Sequence, residues 1–308
     1  MDDGNCRRPS FLFYLLLTIL TAIFLAACQP ARKTITLALL GDINLGRNVN
    51  PSAQSFDYLA PDLEAADLGL ANLESPLSQR IPASTSNYNL CAPAERADLL
   101  SEWGLDLLTL ANNHSSDCGS DEAADTISAL EKARITPIGP GVETVYRQVN
   151  GLRLAFLALD DVSSAVDVEA AKQAIRSAHE DGALVIVSIH WGMEYQEGAS
   201  DRQEFLAQQL AGAGAALVWG HHPHVLQPAE WIDSKNGKTL ILYSLGNALF
   251  DQPGLEDTRQ SALALVALNA TGVQSVKIVP FIIDVAHSRL GAPDDEAARK
   301  ILERLKIK

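Results

Sequence analysis

Six short polar motifs, each placed where an apolar run stops, hold the residues of this chain that can do chemistry. They are Gly41-Asp42, Asn72-Leu73-Glu74, Asn112-Asn113-His114, His190-Trp191-Gly192, Gly220-His221-His222-Pro223-His224 and Ser244-Leu245-Gly246-Asn247. Asp, Glu, Asn and neutral His are the side chains that hard and first-row divalent metals accept as ligands. Five of the seven histidines fall inside these motifs, so hydrolysis at a metal centre is the first chemistry to expect.

Taken singly, several of these residues read blandly. Asp42 follows a glycine at a strand end, where the chain can turn sharply and aim a carboxylate into a crevice, but an Asp there also simply caps a turn. Glu74 alone is a solvated loop acid, and His190 alone a satisfied core histidine. Their recurrence at successive strand ends gathers them on one sheet edge. Asn112 and Asn113 before His114 are poor strand residues and suggest coordination or anion contact. Asp117 either caps a helix opening near Ser120 or holds His114 in its tautomer. Glu194 and Tyr195 lie just beyond His190. His222 and His224, read as an extended segment that Pro223 favours, would place both rings on one side. His179, in a helical pattern, and His287, near the tail, read as bystanders.

The elements that must position these motifs are legible as short, partly β-branched runs at 34–40, 68–71, 106–110, 183–189 and 215–219. Helical patterns at 94–103, 120–133, 167–181 and 201–213 alternate with them, which implies crossover connections and strands buried on both faces. A hairpin is expected over 145–159, with Asn150-Gly151 as its turn. A strand-rich block follows at 238–243, 261–268 and 273–283, and the stretch 293–305 reads as a closing helix. The expected fold is α/β, with layered mixed sheets packed as a two-sheet sandwich and flanked by helices.

Arg7 and Arg8 precede an uncharged stretch from Phe11 to Ala27 that closes on Leu25-Ala26-Ala27-Cys28. Residues 1–28 therefore read as a lipoprotein signal peptide with a lipobox, 29–33 as a short linker and 34–308 as one domain, lipid-anchored through Cys28 outside the cytoplasm. The alternative is a plain anchor helix with a chance cysteine. In that compartment Cys91 and Cys118 can form a disulfide, or one can be a ligand, or both can be buried bystanders. A net charge of −14 argues against nucleic acid and anionic membrane surfaces as partners, since both require a basic face.

In their order, the motifs resemble the CapA family of bacterial poly-γ-glutamate capsule proteins, a branch of the calcineurin-like metallophosphatase fold. The resemblance runs through Gly41 to Arg47, Ala71 to Pro76, Ala111 to Asp117, His190 to Tyr195, Gly220 to Gln227 and Tyr243 to Asn247. It implies divalent metal ions, two in number and drawn from Mn, Fe, Zn or Mg. Their ligands would be Asp42, Glu74 as the bridging acid, Asn113, His190, His222 and His224. It also implies His114 near the leaving group as general acid, aided by Asp117, while His221 and Asn247 shape the crevice. Arg47 either meets an anionic substrate group or forms a surface salt bridge. Asn44 stands where the phosphatases have a histidine, which implies two ions held unequally, or one.

Two functions follow from the resemblance. One is a cell-surface, metal-dependent hydrolase-like or transferase-like enzyme acting on poly-γ-glutamate or a related anionic envelope polymer. The other is a non-enzymatic assembly or export factor, working with capsule-synthesis membrane proteins, whose metal site is structural or binds polymer carboxylates.

Overall fold

Alternation of successive side chains between two buried faces explains how the apolar runs become the centre of the molecule. In the computed structural model, which describes residues 33–79, 88–119, 122–139, 144–252 and 254–307, Ile35, Leu37 and Leu39 face one core while Ala38 and Leu40 face another. Leu154, Phe156 and Ala158 likewise enter the first core, and Ala155, Leu157 and Leu159 a third. Period-two side chains on strands covered on both faces require this division. The expected signal peptide with Cys28, and the expected linker up to residue 32, lie outside the described residues.

In chain order the strands are β1 (Ile35–Ile43), β2 (Leu68–Leu73), β3 (Leu77–Ser78), β4 (Ala92–Pro93), β5 (Leu107–Thr109), β6 (Thr136–Ile138), β7 (Val145–Val149) and β8 (Leu152–Asp160). They continue as β9 (Leu184–His190), β10 (Ala215–His221), β11 (Leu226–Ser234), β12 (Gly237–Leu245), β13 (Asn247–Leu249), β14 (Gln260–Asn269), β15 (Gly272–Asp284) and β16 (Arg289–Gly291). One sheet runs β16-β15-β14-β1-β2-β5-β6, with β13 also on β1; the other runs β11-β12-β10-β9-β8-β7, and β3 pairs with β4. The first sheet has a parallel block, β1-β2-β5-β6, that ends at the edge strand β6 and is continued on its other side by antiparallel β14, β15 and β16, whereas the second has a parallel centre, β8-β9-β10-β12, with antiparallel β7 and β11 at its flanks.

The expected layering is therefore the one found. The two sheets enclose one core, the helices Ala97–Glu102 and Glu122–Lys132 cover the outer face of the first sheet, and Val168–Glu180 and Asp201–Ala213 cover that of the second. The Trp219 indole crosses between sheets, donating to the Leu40 carbonyl at 3.0 Å. Helix starts follow their caps. Asp167 accepts from the Ala170 amide, Ser200 forms a capping box with Gln203, and Asp294 opens the last helix, Asp295–Arg304.

The structure corrects two sequence expectations. Asp42 does not follow a strand end; it lies within β1, paired with β2 and β13. Gly41 serves close approach rather than a sharp turn, since a Cβ there would sit 1.7 Å from the Gly246 carbonyl oxygen. The expected strand-rich block is found as β12, β14 and β15; β12 joins the second sheet and β14 and β15 the first, so residues 238–283 tie the two sheets together.

Candidate metal centre

The ends of the parallel strands of both sheets converge here, as ligand sites of open α/β sheets do. Asp42 comes from β1, Glu74 follows β2, and Asn113 and His114 follow β5; His190 ends β9, His221 ends β10, and His222 and His224 occupy the bends beyond it. Asp42, Glu74, His190, His221, His222 and His224 are all buried, and Asn113 and His114 are half-buried.

Glu74 is the centre of the arrangement. Its Oε1 lies 3.8 Å from His114 Nε2, 3.9 Å from His190 Nε2 and 3.6 Å from His224 Nε2. Neither carboxylate oxygen has a hydrogen-bond partner, nor do His190 Nδ1 and His222 Nδ1. Buried polar atoms are normally satisfied, and leaving a carboxylate bare costs several kcal/mol. Burial, with the charges of Asp42 and Glu194 added, pushes the Glu74 carboxyl well above its usual range. A divalent cation would reverse this by supplying the missing positive charge.

Asp42 is held differently. Its Oδ1 accepts from Asn72 Nδ2 at 2.8 Å, its Oδ2 from the His222 amide at 3.1 Å, and His221 Nδ1 lies 3.3 Å from Oδ1. Burial opposes its ionisation, but the close approach and charge of His221, with the charges of His224 and His190, hold it below the ordinary carboxylate range. Asn72 is itself oriented by Thr109 and Asn112, at 3.2 Å each. Asn72 and Asn112 were visible in the motifs, but nothing in the sequence said that they would act through Asp42.

His190, His222 and His224 are kept neutral, the form in which imidazole binds metal. Burial pushes His222 down to about 4, and burial also lowers His190 and His224 against the opposing charge of Asp42. His224 Nδ1 lies 2.9 Å from Asn247 Oδ1, while the Asn247 amide nitrogen donates to Gln252 and to the Thr258 carbonyl. Asn247 therefore accepts the Nδ1 proton and leaves the His224 Nε2 lone pair facing Glu74. Asn113 Oδ1 and His190 Nε2 are 2.8 Å apart at the same cavity.

His222 and His224 do not form the expected extended pair. Both have positive φ, 94° and 57°, so the chain bends at each, and bending rather than strand alternation sets their rings 5.9 Å apart. Such strain in non-glycine residues is tolerated where surrounding contacts impose it.

Two groups of donors drawn wholly from the expected ligands result, each with its atoms within 4.8 Å of one another: Glu74, His190 and His222, and Asp42, Glu74 and His224. Together with Asn113 they make an oxygen-and-imidazole set that suits hard to borderline divalent ions. His221 stands outside both groups, edge-on against Trp219. His287 pairs with Asp284, and His179 packs against Gly214, away from the cluster.

The remaining sequence candidates line its approach. His114 Nδ1 bonds Asp117 Oδ2 at 2.8 Å, and the same oxygen accepts from the Leu90 amide. Cys91 and Cys118 are joined in a disulfide, tying this loop to the segment before β4. Arg47 pairs with Asp251, which also accepts from Asn44 and Asn48, and its guanidinium lies over Phe250. Asp251 was not singled out in the sequence, and no local signal marks it.

Two sandwiched α/β sheets with acids, amides and histidines gathered at their strand ends are consistent with a metallophosphatase-like fold. The architecture is similar to that of a hypothetical protein from Thermus thermophilus, with a TM-score of 0.54 at 16% identity over 80% of this chain and 99% of that one. The chain belongs to the bacterial capsule synthesis protein family PGA_cap, whose pattern matches residues 36–252. It is 33% identical to the capsule biosynthesis protein CapA of Bacillus anthracis, over 82% of this chain and 68% of the relative. It is 32% identical to the PGA biosynthesis protein CapA of Bacillus subtilis, over 84% and 73% respectively. A probable polyglutamine synthesis accessory protein of Mycobacterium tuberculosis is 26% identical over 64% of this chain and 60% of its own.

Proposed function

We propose that this protein is a cell-surface, metal-dependent hydrolase-like or transferase-like enzyme of poly-γ-glutamate capsule synthesis, acting on that polymer or a related envelope polymer. The observation that carries the reading is the buried Glu74 carboxylate, without a hydrogen-bond partner and faced by three histidine nitrogens. Asp42, Glu74, Asn113, His190, His222 and His224 would hold two divalent ions. Bound ions would supply an acidified water and polarise the bond it attacks. The protein's own share is to hold donors neutral and aimed, and to move a proton at His114. Asp117 fixes His114 Nδ1, which leaves Nε2 as the atom that meets the leaving group. Arg47, already paired with Asp251, would act by shaping the mouth rather than by gripping an anion.

The names of the relatives support a capsule role, and the word "accessory" in one of them favours a second reading: an assembly factor whose metal site binds polymer carboxylates. A polyanion and a chain of net charge −14 repel each other, so this reading also calls for metal at the site. Export and lipidation at Cys28 belong to either reading, and a Cys28→Ser variant is expected to lose fatty-acid labelling. Among the described residues no helix is long and apolar enough to cross a membrane.

Turnover of γ-glutamyl and phosphodiester substrates separates the two readings. For an enzyme, Asp42→Asn and His224→Ala should each lower kcat/KM by at least a hundredfold, equivalent to about 3 kcal/mol or more of transition-state stabilisation. Unchanged turnover in both variants would exclude catalysis by this centre.

A further inference from the structure

The two donor groups are unequally furnished. Glu74, His190 and His222 have Asn113 beside them, and the corresponding amide in the Asp42 segment is that of Asn44. Asn44 cannot serve, because its side chain is fully buried and committed elsewhere. Its Nδ2 donates to Asp251 at 3.0 Å and its Oδ1 accepts from the Gly46 amide at 2.7 Å.

A carboxylate reaches His222 and His224 from the loop after β9. Glu194, His222 and His224 offer donor atoms within 4.8 Å of one another. We propose that Glu194 is a metal ligand at this centre, binding together with His222 and His224 and supplied by the loop after β9. This rests on the metal-dependent reading above.

The loop is exposed, yet its backbone is tied down at several points. The Tyr195 amide donates to the Pro223 carbonyl at 2.8 Å, which locks the residue after Glu194 onto the bend between His222 and His224. Beneath the loop, buried Gln227 donates to the carbonyls of Gln196 and Gly198 at 2.9 and 3.0 Å, and accepts from buried Gln203 at 2.8 Å. Gly192 has φ +82°, and a Cβ there would lie 2.7 Å from the Gln203 carboxamide. Two buried amides thus find their partners in each other and in this loop, an expensive arrangement for a loop with no task. It preorganises Glu194 against the histidines, as a ligand must be preorganised.

The test is metal stoichiometry and spin coupling in the purified full chain carrying Glu194→Gln, a near-isosteric change at an exposed site. Matching melting temperatures of wild type and variant in EDTA will show that the fold is intact. Wild type loaded with Mn(II) and dialysed should retain two equivalents with an exchange-coupled paramagnetic resonance spectrum. Glu194→Gln should retain one equivalent with an isolated six-line spectrum, matching His224→Ala, and bind the second ion at least tenfold more weakly. Two coupled ions of unchanged affinity in Glu194→Gln would overturn the role of Glu194 alone. No bound metal in wild type would overturn the metal-dependent reading itself.

Discussion

Asn247 shows how a residue that touches no ion can set a ligand's chemistry. Its amide nitrogen is spent on Gln252 and the Thr258 carbonyl, so its oxygen can only accept, and His224 must carry its proton on Nδ1. Asn247→Ala should therefore weaken metal binding by roughly 10- to 100-fold. Asn247→Asp keeps the acceptor while losing the donors, and should recover most of that affinity although it loses stability. Competition titration with a metallochromic chelator, beside melts in EDTA, measures both; equal metal affinity in the Ala and Asp variants would refute the tautomer argument.

At the scale of elements, the loop from Asn112 to Gly119 has no regular structure, so its cross-links must hold it. Cys118 is bonded to Cys91 across 27 residues, and Asp117 takes the Leu90 amide, so the disulfide and His114 share one support. Loop-closure entropy for a link of that length is about 3 to 4 kcal/mol. Paired Cys91→Ala and Cys118→Ala substitutions should lower stability by about that amount in urea unfolding, and should lower kcat more than they raise KM if His114 donates the proton. A stability loss with kinetics unaltered would detach the disulfide from the site. Strand interiors follow ordinary core rules: Leu157→Ala, between the second sheet and its helices, should cost about 2 to 5 kcal/mol by the same measurement.

For the molecule as a whole, the buried site makes stability depend on metal and on pH. His222 sits at about 4 in the fold against 6.5 ordinarily, so the unfolded chain binds more protons between those values, and stability falls as pH drops through that window. Glu74 is shifted the other way, raised above its ordinary 4.5, so in metal-free protein its share of stability is lost as pH rises through its folded value. Metal pairs with the ionised Glu74 and needs the histidines neutral, so both effects favour the bound form at higher pH. The gain in Tm on adding metal to EDTA-stripped protein should therefore grow from about pH 5 to about pH 8. A gain that stays flat across that range would mean that the ions are held elsewhere.

The sequence by itself determined the layers and the cast of residues. Apolar runs at strand length, punctuated by caps and by Asn150-Gly151, specify alternating strands and helices, because those signals are local and each acts within a few residues. The polar residues at the ends of such runs were legible for the same reason. Only the tertiary structure decided which of them meet. The placement of Asp42 inside β1 depends on its pairing with β13, about 200 residues away in sequence. The approach of His222 to His224 depends on two positive φ values that Pro223 does not announce, and the commitment of Asn44 depends on Asp251. Glu194 reaches the histidines because buried Gln203 and Gln227 brace its loop and Pro223 receives its neighbour's amide. Coordination depends on distances of a few ångströms between chain segments far apart in sequence, and those distances are set by how two sheets pack, which no local pattern records.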